Sequence, residues 1–207
     1  INGVRQRVDL LGGQKTGIYL DQADNYAAVA EWAPGRRVLD CFCNQGGFAL
    51  HCAKAGAASV SAVDVSDTAL ASARRNADLN SLSIDWIEGN AFDFLKQAEI
   101  DFAETGRTEG GYDLIILDPP SFTRNRKSLK DALRGYKEIH LRALKLLNKD
   151  GILATYCCSH HVRRNEFLQV ICEASVDARR PVRTLSHVSP RRDHPVIPTL
   201  QESEYLK

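Results

Sequence analysis

Residues 155 to 161 read TYCCSHH, which sets two adjacent thiols, Cys157 and Cys158, beside two adjacent imidazoles, His160 and His161. A thiolate is a strong nucleophile, and covalent attack divides one difficult step into easier ones. Earlier in the chain, DPPSF (118 to 122) puts Asp118 in front of two prolines, which stiffen the loop and remove two backbone donors. A carboxylic acid beside a thiol could stabilise the charge that develops as sulfur adds to an electron-poor ring carbon. Each feature also has a plainer reading. Cysteines often pack in cores as small apolar groups, an Asp before such a turn often caps it, and paired histidines are common in exposed loops.

Which reading applies depends on the elements that carry these residues. Short apolar runs recur at 36 to 43 (RRVLDCFC), 59 to 65 (SVSAVDV), 83 to 89 (SIDWIEG), 112 to 118 (YDLIILD) and 151 to 158 (GILATYCC). Their length and their Gly, Asp or Asn borders predict strands buried on both faces of a parallel sheet. Helical patterns lie between them. SDTALASARRNADLN opens with candidate caps Ser66 and Asp67, and apolar residues from Leu129 to Leu147 recur at helical spacing. For that second helix, Ser128 with Asp131 predicts a capping box and Gly151 a stop. Alternating strands and helices give an α/β fold: a mostly parallel twisted sheet with helices on both faces. Residues 3 to 21 alternate polar and apolar around Gly12 and Gly13, which predicts a β-hairpin ahead of the sheet. The organisation expected is a hairpin or linker segment at 1–24 followed by one domain at 25–207.

Sheets of this kind bind ligands at the carboxyl ends of their strands. After the first strand, LDCFCNQGGFAL offers Asp40 and a turn with Gly46 and Gly47, whose amides at a helix start suit an anionic group. A ligand-free turn would look the same. As a dinucleotide fingerprint it fails, because glycine is wanted where Asn44 stands. The second strand ends in Asp64, suited to ribose hydroxyls, with apolar Val65 next. After the third strand, Asn90 could address an adenine edge. The fifth strand should lie beside the fourth, bringing TYCC near Asp118, and alternation sends the two sulfurs to opposite faces, so at most one enters the pocket. A thiolate added to an electron-poor ring carbon makes the neighbouring carbon nucleophilic, and a base must later remove a proton for the thiol to leave.

The totals narrow the class. The 207 residues suit one sizeable domain; 43% hydrophobic and 26% charged residues are ordinary for a globular protein, and no run is long enough to cross a bilayer. No secretory signal opens the sequence, so a cytoplasmic location is expected. Six cysteines without a C-x-x-C pair predict reduced thiols, with neither a disulfide scaffold nor a zinc site. The chain starts with Ile and contains no methionine, which reads as a fragment. Net charge is only +1, but Arg124, Arg126, Lys127, Lys130, Arg134 and Lys137 cluster against Asp131 alone. That is either a solvated helix face or, where it borders a site, a phosphate contact.

The set LDCFCNQGGF, VDVS, GNAFDFL and DPPSF resembles the motifs of class I S-adenosylmethionine-dependent methyltransferases, with their Rossmann-like fold. The resemblance implies S-adenosyl-L-methionine as cofactor, held by Asp40, Gly46, Gly47, Phe48, Asp64, Val65, Asn90, Ala91, Asp118 and Pro119. Nearly the whole chain is similar to the cytosine-C5 methyltransferases of large-subunit ribosomal RNA in which a PUA domain precedes the catalytic domain. The stretches that carry this are GGQKTGIYLDQADN, DPPSF, RGYKEIHLRALKLLNKDGIL, TYCCSHH and DHPVIPTLQESEYLK. No PUA domain is visible. The resemblance implies Cys158 as nucleophile with Asp118 as its acidic partner, and Cys157 at a position where serine is commoner. It also puts Lys15, Tyr19 and Asp21 over the cofactor, and Pro120, Phe122, Arg124, Arg126 and Lys127 on the RNA. The implied partner is large-subunit ribosomal RNA, single-stranded or flipped out at the target, with no membrane and with a homodimer among the open assemblies.

Two other functions compete. Amino-methylating enzymes use a tetrapeptide related to DPPS, so methylation of an RNA nitrogen with Cys158 structural is the alternative enzyme. A cofactor-binding RNA chaperone or assembly factor is the alternative without catalysis. Nicotinamide chemistry is disfavoured by the glycine spacing.

Overall fold

The computed structural model describes residues 1–8, 18–106, 111–123, 125–200 and 203–207. All five apolar runs form strands: β1 (Arg37–Cys41), β2 (Ser59–Asp64), β3 (Asp85–Glu88), β4 (Tyr112–Leu117) and β5 (Leu147–Thr155). They pair in the order β3-β2-β1-β4-β5, every pair parallel. The helices are α1 (Ala23–Ala30), α2 (Gly47–Lys54), α3 (Asp67–Leu79), α4 (Ala91–Glu104), α5 (Leu129–Leu146) and α6 (Arg164–Ala178).

Strand alternation divides the core in two. Val38, Val60, Ala62, Leu114 and Ile116 pack with Tyr26, Phe48, Cys52 and Leu70 from α1, α2 and α3. Leu39, Cys41, Val63, Ile115 and Leu117 face Leu95, Tyr136, Ile139 and Phe167 from α4, α5 and α6. Leu114, Ile115, Ile116 and Leu117 are all fully buried, which is why β4 reads as an unbroken apolar run. Each such side chain stabilises the fold by about 1.5–3 kcal/mol relative to exposure.

Several boundaries differ from expectation, for local physical reasons. Ser66 caps α3 as expected, its Oγ accepting from the Ala69 amide at 3.2 Å. Ser128 makes no capping box: its hydroxyl donates to the Asn125 carbonyl at 3.1 Å, while Asn125 Oδ1 takes the Lys127 and Ser128 amides in a 3-10 turn ahead of α5. Asp131 pairs instead with Arg134. Gly151 is not the helix stop, because the chain turns extended at Leu147 and Gly151 lies within β5. β5 ends at Thr155 rather than 158, although the Tyr156 amide still donates to Leu117 O at 2.9 Å. The expected hairpin turn at Gly12 and Gly13, with Lys15, lies outside the described residues; residues 3–8 and 18–19 hold no strand. Val4 is buried against Leu50 and Ala77, docking the first residues on α2 and α3.

Candidate active site

The register aligns the carboxyl ends of the strands: Cys41 lies opposite Val63 and Leu117, Asp64 opposite Glu88, and Leu117 opposite Thr155. Whatever follows those residues must gather along one rim. Beside it opens a cavity of about 1010 Å³, at the point where the chain switches from one side of β1 to the other.

At its centre lies the turn after β1. Phe42, Asn44 and Gly46 all have positive φ, at 64°, 48° and 81°. Asn tolerates that conformation, so Asn44 does what glycine would do there. For a bulky Phe42 it is strain of the kind that collects at functional sites. Gly46 is fixed by its φ and because a Cβ would lie 2.5 Å from Trp86, while a Cβ on Gly47 would meet the Tyr26 ring at 2.5 Å. Close packing therefore accounts for both glycines.

Asp40 does not line the cavity. It is fully buried beneath the turn, where one carboxylate oxygen accepts from the Ala49 amide at 2.9 Å and so caps α2 from a neighbouring strand. Burial pushes its carboxyl well above the usual range. Its expected contact with the cofactor is thus corrected to support of the turn. Gly46 likewise stands behind the wall rather than in it.

Of the other expected cofactor residues, Tyr19, Asp21, Gly47, Phe48, Asp64, Val65, Asn90, Ala91, Asp118 and Pro119 all line the cavity. Asp64 accepts from the Asn44 amide at 2.7 Å and the Ser66 amide at 2.9 Å, which locks its carboxylate at the end of β2. Val65 next to it is 73% exposed, an apolar side chain held in the open at the cavity edge. Asn90 caps α4, its Oδ1 accepting from Phe92 N at 2.9 Å.

The substrate end brings β4 and β5 together. The two sulfurs part as expected, although both lie just beyond the end of β5. Cys157 is fully buried, 3.4 Å from the Tyr136 hydroxyl, and burial raises its thiol pKa. Cys158 is half-buried on the cavity wall, and its thiol donates to Pro119 O at 3.4 Å. Asp118 accepts from Gln22 Nε2 at 3.0 Å, and Gln22 is itself oriented by Asn25 at 2.6 Å. Burial, then the charges of Cys158, Asp118, Asp21 and Asp64, push the Tyr19 phenol upward, so these groups share one environment.

Pro120 and Phe122 line the cavity, Phe122 in contact with Phe42, Phe92 and Tyr136. Arg126 and Lys127 are exposed on the 3-10 turn beyond the wall, and Arg124 lies outside the described residues. The motifs did not single out Gln22 or Tyr205, whose hydroxyl donates to Asp21 at 2.6 Å. Side-chain amides and phenols carry no spacing signal. His160 and His161 both reach the cavity.

A model of the S-adenosylmethionine-dependent methyltransferases matches residues 1–200. The chain belongs to that family. Its relatives include ribosomal RNA large subunit methyltransferase I of Shewanella frigidimarina, 43% identical over the whole of this chain and 51% of its own length. The protein of that name from Tolumonas auensis is 41% identical over the same shares. The chain spans about half the length of the curated relatives it matches. Among solved structures, SMU.776, described as a methyltransferase and complexed with SAH, is similar over 99% of this chain and 52% of its own, with 25% identity and a TM-score of 0.81.

The cofactor of the family is S-adenosyl-L-methionine, and the cavity suits it. Its described lining includes the carboxylates of Asp21, Asp64 and Asp118 and no Lys or Arg, a field that favours a sulfonium cation. Two amides occupy part of the Asp64 carboxylate, which has acceptor capacity left for hydroxyls. No described helix is long and apolar enough to cross a membrane.

Proposed function

We propose that the protein methylates carbon 5 of a cytosine in large-subunit ribosomal RNA through a covalent adduct with Cys158. The observation that carries this reading is the convergence of Cys158 and Asp118 on one cavity wall, with Cys157 turned away into the core. The names of the relatives support ribosomal RNA as substrate, and the TYCCSHH and DPPSF motifs support cytosine C5.

In this reading Asp64 holds the ribose hydroxyls, Val65 and Ala91 cover the adenine faces, and the Asn90 amide addresses the adenine edge. Gly47 and Phe48 flank the amino-acid portion, with Lys15, Tyr19 and Asp21 closing over it and Asp118 and Pro119 at the sulfonium end. When bound, S-adenosyl-L-methionine supplies an electrophilic methyl group. The Cys158 thiolate adds to carbon 6, and the electrons of the 5,6 double bond move onto carbon 5. Asp118, on taking up a proton, donates a hydrogen bond to the N3 edge, where negative charge develops. Carbon 5 takes the methyl as its bond to the sulfonium breaks, leaving S-adenosylhomocysteine as a neutral thioether; a base then removes the carbon 5 proton, the double bond re-forms, and the Cys158 sulfur leaves as thiolate. Pro120 and Phe122 contact the flipped base, and Arg124, Arg126 and Lys127 contact phosphates.

The test is nucleoside analysis of unmethylated ribosomal RNA after incubation with the protein and labelled cofactor, alongside Cys158→Ala. The expected product is 5-methylcytidine, absent with the variant. RNA carrying 5-fluorocytidine should leave a denaturant-resistant complex with the wild type alone. Full transfer by Cys158→Ala, or an N-methylated nucleoside, would overturn the reading.

A further inference from the structure

Tyr205 lines the cavity and is held there by anchors on either side. Glu204 engages Arg164 at 3.0 Å. Buried Lys207 pairs with the turn that carries Cys158: the Cys157 amide donates to Lys207 O at 2.9 Å, the Lys207 amide to Cys157 O at 3.0 Å, and the Lys207 ammonium to Ser159 O at 2.7 Å. Between these anchors the Tyr205 ring lies beside His160, centroids 5.8 Å apart, and its hydroxyl donates to Asp21 Oδ2 at 2.6 Å. That bond ties the segment ahead of α1 to the segment after α6, over a sequence separation of 184 residues.

Asp21 stands on the 3-10 turn Leu20–Gln22, next to Gln22, which donates to Asp118, and ahead of Tyr26, whose ring lies against Gly47. Burial, then the charges of Asp118 and Asp21, push the Tyr26 phenol upward, so Asp21 belongs to this part of the cavity. Asp64 is held elsewhere, by the Asn44 and Ser66 amides at the end of β2. S-adenosyl-L-methionine brings two cations, its sulfonium and the ammonium of its amino-acid portion, and an ammonium bonds most strongly to a carboxylate. An aspartate on a short turn must give up rotamer freedom to make that bond. A donor that fixes it beforehand removes part of the cost.

Resting on the placement of the amino-acid portion beside Tyr19 and Asp21, we propose that Tyr205 is a positioning residue whose hydroxyl fixes one oxygen of Asp21 so that the carboxylate receives the cofactor's α-ammonium. Burial, then the bond to Asp21, push the Tyr205 phenol upward, which keeps it a protonated donor. A carboxylate has about four acceptor sites, and the phenol takes one. Arg191 also approaches from the segment after α6: its amide donates to Asp21 O at 3.1 Å, and its guanidinium meets Asp24 at 3.3 Å and Asp193 at 3.8 Å. A bond that merely clasped the two segments together would affect every ligand of the cavity alike.

The test is calorimetric titration of the full chain with S-adenosyl-L-homocysteine, with its analogue lacking the α-amino group, and with methylthioadenosine, which lacks the amino-acid portion. The thioether of S-adenosyl-L-homocysteine is uncharged, so the first two ligands isolate the ammonium. Wild type should prefer S-adenosyl-L-homocysteine over the deaminated analogue by about tenfold or more. Asp21→Asn should erase most of that preference. Tyr205→Phe, which keeps the ring beside His160, should reduce it by about three- to tenfold. Methylthioadenosine should bind all three proteins equally. An undiminished preference in Tyr205→Phe, or an equal loss of all three ligands, would overturn the proposal. No RNA enters the measurement, so its outcome is separate from the cytosine reading. A wild type without the preference would defeat the placement of the ammonium at Asp21, whereas a preference lost in Asp21→Asn and intact in Tyr205→Phe would defeat the role of Tyr205 alone.

Discussion

His140 gives a pH dependence whose size follows from its surroundings. It is fully buried between α5 and β5, with Nδ1 2.6 Å from Tyr136 O and Nε2 2.8 Å from Thr155 Oγ1. A carbonyl only accepts, so Nδ1 carries the hydrogen, and because burial keeps the ring neutral, Nε2 accepts from the threonine hydroxyl. Burial lowers the pKa from the ordinary 6.5 to about 4. At about 1.36 kcal/mol per pH unit, that drop corresponds to about 3 kcal/mol. Between these two values the unfolded chain binds the proton and the folded one does not, so stability rises with pH. The cost is absent above 6.5, grows as the pH falls, and is complete near 4. Urea unfolding of wild type and His140→Gln across that window checks it. The gap between the two curves should shrink by about 3 kcal/mol toward the acid end. Parallel curves would refute the buried neutral imidazole. Because Thr155 directly precedes Tyr156-Cys157-Cys158, the same acid window should also loosen the turn that carries Cys158.

Gly46→Ala should destabilise by about 2–4 kcal/mol in thermal melting, since it combines an unfavourable φ with a Cβ pressed on Trp86; an unchanged midpoint would contradict this. Asp64→Asn keeps one oxygen acceptor but turns an NH2 toward either the Asn44 or the Ser66 amide, so it should weaken cofactor binding about tenfold or more by calorimetry and also lower stability in melting by about 1–3 kcal/mol. Undiminished affinity would remove Asp64 from the ribose. Arg126→Gln with Lys127→Gln should lower the salt dependence of binding to single-stranded RNA by a slope of about 1.4, while leaving cofactor affinity alone. An identical slope would return these cations to a merely solvated turn.

All five strands, and the helices α2, α3 and α5, were legible in the sequence, because buried parallel strands announce themselves as short apolar runs and β4 has no solvent face to interrupt its run; α1, α4 and α6 were not. The two chemical motifs were equally plain, since DPPSF and TYCCSHH hold their reactive groups in short contiguous stretches. The expected parting of the two sulfurs is seen, although both lie beyond the end of β5, where strand alternation no longer dictates it. Strand and helix limits near Leu147, Gly151 and Thr155 were not legible, because a few hydrogen bonds decide where a chain turns extended. Nor were the partners of the motifs. Asp40 reads as a ligand-facing residue until the sheet shows it beneath α2, and the burial of Lys207 against Cys157 and Ser159 joins residues far apart in the chain. Local pattern determined where the strands form and which groups could do chemistry. Only tertiary packing, by bringing distant backbone amides and charges into one low-dielectric wall, decided which of those groups face the cavity and what holds them there.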